Sequence, residues 1–453
     1  MEKTKKTLKT LLFILLNILL FIILLILILS KFLSSSEPII ADNHNSIFLP
    51  QDFRDVKEIF NLPYEEVTSV STKYSILYKD GNNRKMFVFA VLVREMENDK
   101  HILFDNKIYE NDDGTFKTQN KEFNLNFNSN AINLSYKNLN FSVLLNNTKM
   151  NKDENYFNTY GETKEAVKYT NVVDNIDLRC IPTYNGLLME FDLLNKTEKS
   201  EITFEIDINK LKYENDPAGY VKILKDDNNA GVIYQGIVLD NDNRIYTNNR
   251  VKISIKDKKY YLTIDLSKLP SDVIYPAKLA FNFDFYCEKM FYDTSVYEAT
   301  PSTNTILNNV SIFDSINEKH AGYTYMKYNV KSFTPKDSSL IESFTFNFYV
   351  ISVSDSIEIE VYRAAKDWCS TQINWRDKPL YKEKIGEFTL SEIGWHKIDL
   401  TDYVKLLIDR DYDNLNDNGI VFKVKEGSKG YAIWTSADNT YAPPYFEVNY
   451  RVS

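Results

Sequence analysis

Phe344–Val353 reads FTFNFYVISV. Successive side chains of a strand point to opposite faces, so Phe344, Phe346, Phe348 and Val350 line one side of an extended chain. The next segment repeats the pattern: in Ser356–Tyr362, Ile357, Ile359 and Val361 alternate with Glu358 and Glu360. Working outward, Glu122–Phe127, Glu201–Ile208, Lys252–Ile255 and Tyr260–Leu266 behave alike. Turn clusters separate them: Asp80-Gly81-Asn82-Asn83, Asn111-Asp112-Asp113-Gly114, Asp226-Asp227-Asn228-Asn229 and Asp240-Asn241-Asp242-Asn243. Asn and Asp tolerate the left-handed backbone that tight hairpins demand. The 31 Tyr and 28 Phe also favour strands over helices. The pattern predicts an all-β protein built from tandem antiparallel β-sandwiches. Helical spacing is confined to Pro50–Phe60 and Thr401–Ile408, each expected to cap a sheet end.

The N-terminus reads differently. Lys3, Lys5, Lys6 and Lys9 precede Leu11–Ser30, an uncharged stretch with one amide, Asn17. At about 1.5 Å per residue it matches a hydrocarbon core of about 30 Å. Basic residues remain on the cytoplasmic side, so the bulk of the chain is expected outside. The stretch exceeds the apolar part of a cleaved signal, so a transmembrane signal anchor is expected; a cleaved signal would leave the same region outside the membrane. The expected organisation is a basic tail and anchor (1–33), a tether (34–46), a β-rich region (47–288) divided near 165–200, and a last domain (289–453).

A net charge of −9, spread through the region beyond the anchor without a long run, argues against nucleic acid. Cys180, Cys287 and Cys369 lie far apart, which reads as three buried free thiols or at most one disulfide. His44, His101, His320 and His396 show no metal-ligand spacing. No G-x-S-x-G, H-E-x-x-H, P-loop or dinucleotide-binding glycine pattern is present. The expectation is a protein that is not an enzyme. Asp409–Gly419 fails the EF-hand pattern, with Asn414 and Ile420 where Gly and Glu are required.

The last third carries a collinear set of motifs: Asp293-Thr294-Ser295-Val296, Tyr325–Val330, Val361-Tyr362-Arg363, Asp367-Trp368 with Trp375 and Pro379, Gly394–Val404, Gly419–Lys423 and Pro444–Val448. Together they resemble the DNRLRE domain, a carbohydrate-binding-module-like β-sandwich of bacterial surface proteins. The middle region, through Tyr169–Leu178, Tyr184–Leu187, Tyr260–Thr263 and Val273–Pro276, is similar to the segment before such domains in wall-associated and Rhs-type proteins. Ala280–Asp284 departs from that family's usual exit.

The resemblance implies a jelly-roll-like final domain, with Trp368, Trp375 and Trp395 in its core. If Ile433 points inward, strand alternation turns Trp434 outward, near Tyr441 and Tyr445, as candidate sugar-stacking residues; the other reading places Trp434 in the core. If the first and last strands pair as in related jelly rolls, Asp293 and Glu447 would hold a structural Ca²⁺ through hard oxygen ligands; no other cofactor is expected. The expected role is a membrane-anchored surface binding or adhesion protein for cell-wall or environmental polysaccharide. The alternatives are a scaffold or stalk subunit contacting surface proteins, and an unrecognised polysaccharide-degrading enzyme.

Overall fold

The computed structural model describes residues 56–452, apart from 159–162, 174–175, 185, 197–199, 217–218, 243–244, 268, 270, 286–289, 299–308, 315–320, 355, 371, 411–417 and 441. Leu11–Ser30, the tether, Tyr441 and most of Asp409–Gly419 therefore lie outside the described residues. Among the described residues, no helix is long and apolar enough to cross a membrane.

The protein is all-β, with antiparallel pairing between neighbouring strands. Hairpins form where Asn and Asp cluster. Asp226 and Asp227 both take positive φ (49° and 64°) between Val221–Lys225 and Asn228–Ile233. Asp257 and Lys258 do the same (52° and 64°) between Val251–Lys256 and Lys259–Asp265. Two consecutive positive φ values are the mark of a type I′ turn, whose twist suits the flanking strands.

In the middle region an eight-stranded and a ten-stranded sheet pack face to face. Ring pairs join them: Phe141 stacks on Phe283 at 4.6 Å and Phe191 on Phe204 at 5.7 Å. Each such pair adds about 0.5–1.5 kcal/mol beyond its buried area. Leu139–Leu144 pairs with Glu201–Asp207, so the eight-stranded sheet crosses the division expected near 165–200.

The last region forms a further sandwich. Its long strand Ile341–Val353 pairs along one edge first with Tyr445–Arg451 and then with Gly430–Thr435. The register against Gly430–Thr435 shifts between Val350 and Ser352, after the strand has left Tyr445–Arg451 at Asn347. Such a bulge bends a strand. Gly394–Asp399 lies along its other edge. The opposing layer runs Phe291–Tyr297, Gly322–Tyr328, Ile420–Val424, Ile357–Ala364, Tyr381–Leu390. Phe344, Phe346, Phe348 and Val350 are all buried between the layers, as the alternation requires.

The opposite side of that strand is buried too, including Thr345, Asn347, Tyr349 and Ile351. An aromatic chain helps to cover it: Phe60 stacks on Phe89, Phe89 meets Tyr445, Tyr445 meets Trp395 and Trp395 meets Tyr349. Phe60 and Phe89 come from the other end of the sequence. Asn83–Phe89 is hydrogen-bonded along Tyr445–Arg451, and Ser75–Asp80 pairs with Asn83–Phe89 in turn. These strands thus cross the boundary expected at 288. The helix Val56–Phe60 buries Val56 and Ile59. The second helix, Thr401–Asp409, buries Tyr403, Val404, Leu407 and Ile408. Its first turn is held by Asp399, whose Oδ1 accepts from the Thr401 N–H at 2.8 Å. Cys180 is buried, but Cys369 is exposed, because its loop lies over the outside of the sandwich and not within it.

Candidate functional site

The outer face of the second layer carries a run of neighbouring rings, with Tyr381 exposed and Tyr323, Tyr362 and Trp375 half-buried. Alternation places Tyr323, Tyr325 and Lys327 on that face of Gly322–Tyr328, Val421 and Lys423 on that of Ile420–Val424, and Glu360, Tyr362 and Ala364 on that of Ile357–Ala364. The loop 365–380 covers part of it. Trp368 and Ile373 from this loop bury themselves against Tyr325, Val296, Ala364 and Val421. The loop is pinned at two points: Tyr325 Oη donates to the Pro379 carbonyl at 2.6 Å, and Trp368 Nε1 donates to the Asn418 carbonyl at 2.7 Å.

Beyond this cover the rings are partly open. Trp375 lies 5.0 Å from Tyr323, Tyr323 lies 6.1 Å from Tyr381, and Tyr381 lies 4.7 Å from Tyr362. The planes are inclined at 53°, 76° and 49°. The result is a corrugated ridge of faces and edges, not a flat plate. Leu380 beside it is 75% exposed.

Two ammonium groups sit over the rings. Lys378 Nζ is 3.5 Å from the Trp375 centroid and donates to the Trp375 carbonyl at 2.9 Å. Lys423 Nζ is 5.1 Å from Tyr362 and 5.2 Å from Tyr381. These are cation–π distances. Partial burial lowers the pKa of Lys378. Burial would also lower that of Lys423, but its contact with Glu360 outweighs this and the net shift is upward. Burial pushes the Tyr362 phenol up to about 12. Glu360 closes the network, accepting from Lys384, Lys423 and the Tyr362 hydroxyl, each at 3.0 Å. Burial opposes its ionisation, yet these hydrogen bonds hold the carboxyl below the ordinary glutamate value. Rings flanked by fixed donors and acceptors suit a ligand with apolar C–H faces and many hydroxyls.

The residues expected from the sequence stand elsewhere. Trp434 is 2% exposed and packs at 5.5 Å from Phe348 and 5.6 Å from Phe422, so of its two readings the core one fits and ligand contact is corrected. Tyr445 is equally buried, between Phe89 and Trp395, and receives the same correction. Of the three tryptophans expected in the core, Trp368 and Trp395 are buried, whereas Trp375 is only half-buried and belongs to the ridge.

The calcium expectation also fails on strand partners. Phe291–Tyr297, which holds Asp293, pairs with Gly322–Tyr328; Glu447 stands opposite Phe87 and Thr345. Asp293 Oδ2 instead accepts from the Ala437 N–H at 2.8 Å, and Glu447 forms an ion pair with Lys85 at 3.0 Å. Among the described residues no group of three or more His, Cys, Asp or Glu is placed to hold a metal.

No sequence motif marks Tyr323, Tyr381 or Lys378, and Lys423 stands only at the end of the Gly419–Lys423 motif. Tyr362 and Trp375 entered only as parts of motifs. The alternation of Tyr323, Tyr325 and Lys327 was a usable signal, but one strand cannot tell which of its faces the other layer covers.

The model of carbohydrate-binding module family 96 matches residues 289–450. That span holds the whole ridge, and the matched description is this module rather than the DNRLRE domain. A search of curated proteins finds no match. Among solved structures, a β-porphyranase of glycoside hydrolase family 86 from the human gut bacterium Bacteroides plebeius aligns at 9% identity and TM-score 0.13, covering 61% of this chain and 39% of that one. The N-terminal domain of a Streptococcus gordonii adhesin aligns at 9% identity and TM-score 0.15, covering 86% of this chain and 100% of that one. Scores this low do not superpose a fold, so neither neighbour bears on function.

Proposed function

We propose that residues 289–453 bind a single polysaccharide chain across the ridge of Trp375, Tyr323, Tyr381 and Tyr362, without catalysis. We further propose that Leu11–Ser30 anchors the protein in the plasma membrane so that this face is displayed outside the cell. The observation that carries the binding reading is that the partly open rings and the carbohydrate-binding family match fall on the same residues. The inclination of the rings favours a flexible chain in solution over a flat crystalline surface. Lys378 and Lys423 are already committed to rings and to Glu360, so they orient hydroxyls rather than capture charge.

The test is affinity electrophoresis of the full chain through gels containing soluble polysaccharides, with Trp375→Ala and Tyr381→Ala as variants. A stacked ring contributes up to about 1.5 kcal/mol, so each variant should weaken retention about tenfold at unchanged melting temperature. Absence of retention on every polysaccharide, or equal retention by both variants, would point to the scaffold role instead.

A further inference from the structure

A concavity lies on the outer face of the other layer, where Ser75–Asp80 and Asn83–Phe89 have joined it. Its volume is about 360 Å³, within the range of about 300–1,000 Å³ typical of small-ligand sites. Strand register sets one row of its lining: Tyr78 stands opposite Lys85, Lys85 opposite Asn449, and Asn449 opposite Ser343. Tyr64 adds a wall, 39% exposed, its ring 6.2 Å from that of Tyr78. The lining is pre-set by its own hydrogen bonds. Tyr78 Oη donates to the Ile59 carbonyl at 2.9 Å, and Asn449 Nδ2 donates to Ser343 Oγ at 2.7 Å.

Charge decides the ligand class. Lys79 is paired with Glu65 at 2.6 Å, Lys85 with Glu447 at 3.0 Å, and Glu342 with Arg451 at 3.3 Å. Arg84 Nη1 is turned onto the Gly81 and Asn83 carbonyls, 2.9 Å from each. Asp80 adds a carboxylate to the lining beside Arg84, so the cations Lys79, Arg84, Lys85 and Arg451 are matched by the carboxylates Asp80, Glu342, Glu65 and Glu447 and the groove holds no net positive charge to draw an anion. A hydroxyl-rich neutral ligand can use the hydroxyl, amide and ion-pair edges as they stand, with Tyr64 under a C–H face. The row also spans two parts of the chain. Tyr64, Tyr78 and Lys85 lie before the family match, whereas Ser343 and Asn449 lie inside it.

We infer that this groove is a second ligand site, specific for a short uncharged oligosaccharide, and complete only because residues 64–85 have added themselves to the sandwich. The inference rests on the carbohydrate reading for its ligand class but stands on different residues.

The experiment uses the full chain carrying Trp375→Ala and Tyr381→Ala, titrated calorimetrically with cello-, manno-, malto- and laminari-hexaose and with hexauronates. At least one neutral hexaose should still bind, hexauronates should not, and adding Tyr64→Ala or Asn449→Ala should weaken the neutral ligand at least tenfold at unchanged melting temperature. No neutral binding to the ridge variant, preference for the uronates, or indifference to both groove substitutions would overturn the inference. Failure of the ridge is read separately, as equal binding by the wild type and the ridge variant.

Discussion

Replacing Trp434 by Ala separates the two fates a tryptophan can have in this sandwich. Its ring is 2% exposed and wedged between Phe348 and Phe422, which belong to opposite layers. A buried aromatic of this kind hides about 150–250 Å². At about 25 cal/mol per Å² the transfer contribution is near 4–6 kcal/mol before the truncated methyl and the partly folded denatured state are discounted. Measured Trp→Ala costs of about 3–5 kcal/mol agree with the discounted figure. That is a large share of the stability of an ordinary domain, about 5–15 kcal/mol. Urea titration followed by far-ultraviolet circular dichroism should show the last region unfolding at much lower denaturant, while any polysaccharide retention persists in the fraction still folded. A loss below about 1 kcal/mol combined with abolished retention would refute the burial argument and return Trp434 to the surface.

Two further outcomes follow from packing and charge. The Glu360 carboxyl is held below its ordinary value of 4.5, so its ionised form stabilises the native state above that pH. The contribution drains away as pH falls through the lower, folded value. Glu360→Gln should therefore be less stable than wild type at neutral pH, with the gap narrowing in acid-unfolding curves; a gap that widened below pH 4.5 would contradict the assignment. Gly186→Ala should cost about 1–3 kcal/mol by overpacking, because a Cβ there would lie 2.1 Å from Asp284 Oδ1 and 2.3 Å from the Phe283 carbonyl. Differential scanning calorimetry reads that loss directly, and a neutral result would mean the two strands separate more easily than their pairing suggests.

The all-β architecture was legible because it depends on local rules. Alternation in Phe344–Val353 and paired acidic or amide residues such as Asp226-Asp227 act within a few positions of themselves. The burial of both sides of Phe344–Val353 was not legible, since its second cover comes partly from Phe60 and Phe89, more than 250 positions away. The same non-locality displaced the site. Whether Trp375 or Trp434 meets solvent depends on which layer each faces and on where the loop 365–380 lies, neither of which a one-strand period encodes. Asp293 and Glu447 failed as metal partners for a related reason: adjacency of strands is a property of topology, and Tyr445–Arg451 had already taken Asn83–Phe89 as its neighbour.

That neighbour has a practical meaning for anyone dividing this molecule. A fragment cut at the limits of the family match would shed the hairpin 75–89 and lay bare one flank of what remains of the last strand, from Tyr445 to Tyr450, with its amides and carbonyls facing water. Bare flanks of this sort recruit other copies of themselves. The excised piece would then tend toward filaments or precipitate, and the cure is to carry the early hairpin along, so that the natural unit for handling is two separated lengths of one chain rather than one continuous stretch.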